Sequence, residues 1–197
     1  MDYIYVIFIM NPQFPFFIKE VTMNIIEEVK NLYCIIELKP FRKTEGVVFD
    51  LFPMDSIAHI DSIDRVLHEH SAVSPGPVGS VSHPWYLHPH QDDNLLVLHG
   101  RREVDIYNKA HGKVEHFTVY PDKILKNGQL LYNGGAMLVW PAGVFHRIVS
   151  GEDGSASINL AVHHEGFDIR TNFNIYDLNT ETGEYRLIRE GYKDQML

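Results

Sequence analysis

From residue 46 onward the chain is made of short apolar or alternating runs, each closed off by Gly, Pro, Asn or Asp. Alternation at period two, in segments of five to seven residues, is how an all-β domain reads. Strands are expected at 46–51, 64–70, 85–90, 95–99, 103–107, 114–120, 136–140, 145–149 and 157–163. Between them, Asn127 with Gly128, Asn133 with Gly134 and Gly135, and Asp153 with Gly154 supply residues that tight turns require. The Pro- and Gly-rich stretch 74–79 reads as a loop. Earlier in the chain the period changes. Ile25, Ile26, Val29, Leu32, Tyr33 and Ile36 recur at helical spacing, Asn24 and Glu27 resemble a capping box, and Pro40 ends the pattern, so an amphipathic helix is expected at about 24–38. Near the end, 174–178 and 184–188 flank Asn179-Thr-Glu-Thr-Gly183, a hairpin that extends a sheet. The expected organisation is an N-terminal extension with its helix (1–45), a β domain (46–170) and a C-terminal hairpin extension (171–197).

Composition narrows the partners. At 197 residues the chain supports one core. A formal charge of −9, with no run of Lys or Arg, argues against neutralising a phosphate backbone, so no nucleic-acid partner is expected. The single cysteine, Cys34, excludes an intrachain disulfide and a cysteine-based zinc knot, and suits a reducing cytoplasm. The apolar stretch 3–10 is too short to span a bilayer and follows Asp2 with no basic residue before it, so neither a membrane span nor a signal peptide is expected. It reads as an edge strand, or as an over-long start ahead of an ordinary beginning at Met23.

Candidate chemistry lies in the histidines. His88 and His90 are two apart, and in a strand that spacing places both rings on one face, where they can share one ion. Two imidazoles leave most of a coordination sphere open, so further ligands must come from elsewhere, and His146 with a nearby carboxylate are the candidates. Around His146 the spacing is Gly135, five residues, Pro141, one, Gly143, two, His146, three, Ser150.

That spacing resembles the second signature of the cupin superfamily, with Ser150 where the family has Asn. His88, His90 and Gly100 resemble its first signature, whose acidic position is displaced here. Counting back six residues from Gly100 reaches Asp93, and counting forward from His90 reaches Asn94. Asp93 is the favoured fourth ligand, with Asn94, Gln91 and Asp92 as the alternatives. The resemblance covers about residues 80–150 and points to no functional subfamily. It implies a single double-stranded β-helix, the jelly-roll barrel, and a divalent transition metal on His88, His90, Asp93 and His146, with Fe(II) favoured and Zn, Mn or Ni as options.

Three histidines with a weak carboxylate imply, through the family, a dioxygenase acting on a small-molecule substrate. The alternatives are a non-catalytic barrel that binds a sugar or organic acid, and a cupin isomerase or decarboxylase. His99, on the alternation Asp93, Leu95, Val97, His99, is expected to point inward as a catalytic acid or base. His163 is a weaker cavity candidate, and Arg147 is expected to face outward. The family commonly pairs through sheet edges, so a homodimer is expected.

Overall fold

A computed structural model describes residues 3–7, 19–23 and 25–196. The strands, in chain order, are β1 (Tyr3–Ile7), β2 (Lys19–Met23), β3 (Ile25–Val29), β4 (Tyr33–Glu37), β5 (Lys39–Thr44), β6 (Val47–Leu51), β7 (Ser62–His68), β8 (Val73–Ser74) and β9 (Trp85–Leu87). They continue with β10 (Gln91–Tyr107), β11 (Glu115–Val119), β12 (Ile124–Lys126), β13 (Gln129–Tyr132), β14 (Ala136–Trp140) and β15 (Phe145–His163). A single helical turn, α1 (Ile169–Asn172), precedes β16 (Ile175–Asn179) and β17 (Glu184–Arg189).

The organising feature is the antiparallel pairing of two long strands, β10 and β15, from Gln91 opposite His163 to Tyr107 opposite Phe145. Each spans two of the segments expected as separate strands. On the sides of this pair lie β11 and β14 against β10, and β7, β8 and β9 against β15. Continuing through β9, the C-terminal hairpin β16–β17 extends the sheet as the turn chemistry at 179–183 implied. The hairpins β1–β2 and β5–β6 form separate two-stranded sheets.

Two apolar layers sandwich the sheet. Leu95, Val97, Val104, Ile106, Phe117, Leu138 and Trp140 fill the barrel, while Leu96, Met137, Leu160 and Val162 pack outward against Ile36, Leu38 and Ile57. Burying both layers takes most of their apolar area from water, at roughly 25 cal/mol per Å².

The expected helix at 24–38 is a β-hairpin instead. Asn31 adopts φ 63° in the turn, and β4 pairs with β14 inside the barrel sheet. Ile35 faces the barrel and Ile36 the outer layer. A strand covered on both faces shows a continuous apolar run, which periodicity does not separate from a buried helix. Asn24, one half of the capping-box pattern, lies outside the described residues, as do 8–10 of the apolar stretch near the start.

Candidate active site

Three segments meet at one end of the barrel. β9 stops at Leu87, and the chain turns through Pro89 before β10 begins at Gln91. The turn Pro141–Gly143 carries φ +80° at Gly143, whose N–H donates to the His88 carbonyl at 2.8 Å. Ala142 N–H in turn donates to Asp92 Oδ1 at 2.8 Å, so this reversal is fastened to both sides of the histidine segment before it delivers His146 into β15.

Here His88, Asp93 and His146, all buried, each offer a ligand atom within 4.8 Å of the other two. The His88 and His146 rings are 4.7 Å apart by centroid. His88 Nδ1 hydrogen-bonds the backbone carbonyl of Asn172 and His146 Nδ1 that of Val144 at 3.3 Å. A carbonyl only accepts, so in both rings Nδ1 carries a proton and Nε2 is the nitrogen left for a ligand. Asp93 Oδ1 accepts from Gln91 Nε2 at 2.8 Å and from Asn159 Nδ2 at 2.6 Å. Its other oxygen, Oδ2, is buried with no hydrogen-bond partner and stands 3.6 Å from His88 Nε2. Gln91 is itself held by Asn172 Nδ2 at 2.9 Å, so α1 supports both Asp93 and His88.

Burial dominates the electrostatics. It pushes the Asp93 carboxyl above its usual range, against the pull of His88 and the two amides. Burial, then the neighbouring His88, hold His146 well below the ordinary histidine value, so its ring is neutral. Two imidazoles and one carboxylate are a donor set that suits a mononuclear divalent metal, and an orphaned carboxylate oxygen near an imidazole nitrogen fits an ion between them.

His90 does not join them. Its ring lies against the Gly166 loop, and its carbonyl accepts from His164 N–H. The two-apart argument required extended backbone, and Pro89 sits in a turn. Of the three expected histidines, His88 and His146 come together with Asp93, and His90 lies apart. Nor does His99 reach the interior: it is exposed, because Leu98 is an extra residue between the pairs Val97–Ser157 and His99–Ala156. A second irregularity follows at Gly100, φ +69°, where a Cβ would meet the Gly154 carbonyl oxygen at 2.1 Å. Past it the inward parity is even: Arg102, Val104 and Ile106.

Of the alternatives for the acid, Gln91 braces Asp93, Asp92 holds Ala142 and His164, and Asn94 Nδ2 donates to the Leu160 carbonyl. His163 stacks on Phe167, and Arg147 faces outward to Asp105 at 2.8 Å.

Next to the cluster opens a cavity of about 170 Å³, lined by Asp93 and His146 together with Tyr86, His68, Arg102 and Ser157, among others. Sequence reasoning made no assignment for Arg102 or Ser157 and left His68 as a strand residue. The one available signal was a basic residue in register with Val104 and Ile106 on the apolar face of an alternating run.

No family model and no curated protein matches the sequence. Among solved structures, dTDP-4-dehydrorhamnose 3,5-epimerase from Elizabethkingia anophelis is similar in fold, with TM-score 0.52 and 13% identity over 77% of this chain and 79% of that one. QdtA, a sugar 3,4-ketoisomerase from Thermoanaerobacterium thermosaccharolyticum in complex with TDP, aligns with TM-score 0.48 and 13% identity over 72% of this chain and 85% of that one. No helix among the described residues is long and apolar enough to cross a membrane.

Proposed function

We propose, from the premise that this chain has the cupin fold, that it is a small-molecule enzyme with one divalent transition metal held by His88, Asp93 and His146, and that it shifts a proton beside a carbonyl, as an isomerase does. One observation carries the reading: Asp93 Oδ2, buried with no hydrogen-bond partner, stands 3.6 Å from His88 Nε2, and His146 offers a third ligand atom within 4.8 Å of both residues' ligand atoms. A buried oxygen left without a partner is costly, and a cation held by these three groups would satisfy it. When bound, a divalent ion is a Lewis acid that polarises a carbonyl oxygen. The chain's own part is to orient the ligands through Asn172, Val144 and Gln91, to exclude water with Phe173 against His88 (5.0 Å), and to present the Tyr86 phenol on the cavity wall as proton donor.

The test is metal content by plasma mass spectrometry in untagged protein and in His88→Ala and His146→Ala. It is paired with NMR of solvent-deuterium incorporation into dehydro sugars and 2-keto acids. Near-stoichiometric metal lost in both variants, with exchange slowed about 100-fold in Tyr86→Phe, is expected. Metal-free protein that still exchanges deuterium would replace the ion with a proton shared by His88 and Asp93. A dioxygenase is the second reading, favoured by the two-histidine, one-carboxylate set that non-haem Fe(II) oxygenases use. Oxygen uptake by the Fe(II)-loaded protein without deuterium exchange would establish it over the isomerase.

We further propose a homodimer. The hairpin β5–β6 leaves Phe41, Val47, Val48, Phe49 and Leu51 exposed, an apolar surface suited to a second copy.

A further inference from the structure

Arg102 is the largest side chain wholly inside the barrel, 1% exposed. Its Nε donates to Ser155 Oγ at 3.0 Å and its Nη2 to the Val66 carbonyl at 3.1 Å, both neutral acceptors. Among the described residues no carboxylate is within ion-pair distance of it. A guanidinium does not shed its proton in a protein, so the barrel holds a buried, uncompensated positive charge. The neighbours fix that charge in place without neutralising it. Ser155 Oγ meets Ser150 Oγ at 2.7 Å, and Ser150 Oγ meets His68 Nδ1 at 2.8 Å. His68, pushed down to about 4 by burial and by Arg102, is neutral. Asp64 shares the cavity wall, where Ser62 and Asn159 engage its two oxygens.

A second, independent observation lies in the same wall. Ser157 Oγ is buried with no hydrogen-bond partner, and Ser157 lines the cavity with Arg102. We propose that Arg102 and Ser157 form an anion subsite that takes the carboxylate of a small organic acid, in the cavity that Asp93 and His146 also line. A planar two-oxygen anion suits a guanidinium fork and one hydroxyl, whereas a phosphate dianion calls for more donors than this wall supplies. The inference names a substrate class for the site proposed above, and rests on that reading for the reaction but not for the binding.

Isothermal titration calorimetry of pyruvate and benzoate against their neutral amides tests it, with metal-depleted as well as metal-loaded protein, because an ion binds carboxylates by itself. Wild type should bind the acids at least about tenfold more tightly than the amides. Arg102→Met should abolish that preference, Arg102→Lys should retain part of it, and Ser157→Ala should weaken acid binding severalfold. Arg102→Met should also melt no lower than wild type, since it removes an uncompensated charge; should it fail to fold, the acid–amide comparison and Ser157→Ala still decide. Equal binding of acid and amide, an unchanged preference in folded Arg102→Met, or tighter binding of inorganic phosphate than of either acid overturns the proposal. A preference shown by wild type that carries no metal leaves the subsite standing while the metal reading fails, and wild type that retains metal but shows no preference does the reverse.

Discussion

Two carboxylates are buried to nearly the same degree in this barrel, Glu115 at 2% exposure and Asp93 at 3%, and their surroundings are opposite. Glu115 is met by His111 Nε2 and Lys113 Nζ at 2.8 Å and by Lys126 Nζ at 3.7 Å, with Lys126 shared by Glu27. Burial alone would raise its pKa, and these partners overcome it, holding the carboxyl at about 2. Asp93 has two amides on one oxygen, no hydrogen bond on the other, and a pKa raised by burial. The first charge is compensated by its own fold. The second keeps one oxygen without a hydrogen bond, and an unsatisfied buried group is where a ligand gains most.

Exchanging the two carboxylates' roles should fail in either direction. Asp93→Asn should cut metal affinity by about 100-fold or more, beyond what removing an outer-shell partner costs, while the metal-free protein keeps or gains stability; equilibrium dialysis and thermal melts read the two separately. Glu115→Ala should leave metal content untouched and cost about 3 kcal/mol in urea unfolding, because lysines and a histidine lose their counter-charge. Metal loss in Glu115→Ala would erase the contrast. Gln91→Leu, which frees Asp93 Oδ1 from one amide, should weaken metal binding about tenfold.

Acid sharpens the comparison further. His68 has a folded pKa of about 4 against 6.5 unfolded, so the unfolded chain binds the extra proton, and stability falls as pH drops from 6.5 toward 4. Glu115 contributes stability that is fully present above 4.5 and disappears as pH falls through about 2. Urea melts of metal-depleted His68→Gln should therefore be flatter between pH 6.5 and 4 than wild type, with the loss at lower pH unchanged. Least of all, Phe49→Glu on the projecting hairpin should shift folding stability by no more than about 0.5 kcal/mol yet split a dimer on size-exclusion chromatography. An unchanged elution volume would place the contact elsewhere.

Much of the barrel was legible because its strands alternate and its turns carry Gly and Asn. The segment 136–140 was read with the bounds of β14, and the terminal hairpin to within a residue. His88 and His146 were singled out by their spacing, and Asp93 by the resemblance of that spacing to the cupin signatures. His90 and His99 were misplaced by one kind of error, counting parity across backbone that is not extended: a proline turn in one case, a bulge at Leu98 in the other. Asp93, which the count from Gly100 reached, keeps its face with Leu95 and Val97 because all three precede the bulge.

Pattern and turn chemistry along the chain determined that it would be an all-β domain, since period and turn preference are local properties. Which of the histidines share a point, that 25–37 is a hairpin, and that a guanidinium sits bare inside the core were decided only by tertiary structure. Each depends on which partner strand lies opposite and where its register slips, and a slip of one residue moves every following side chain to the other face.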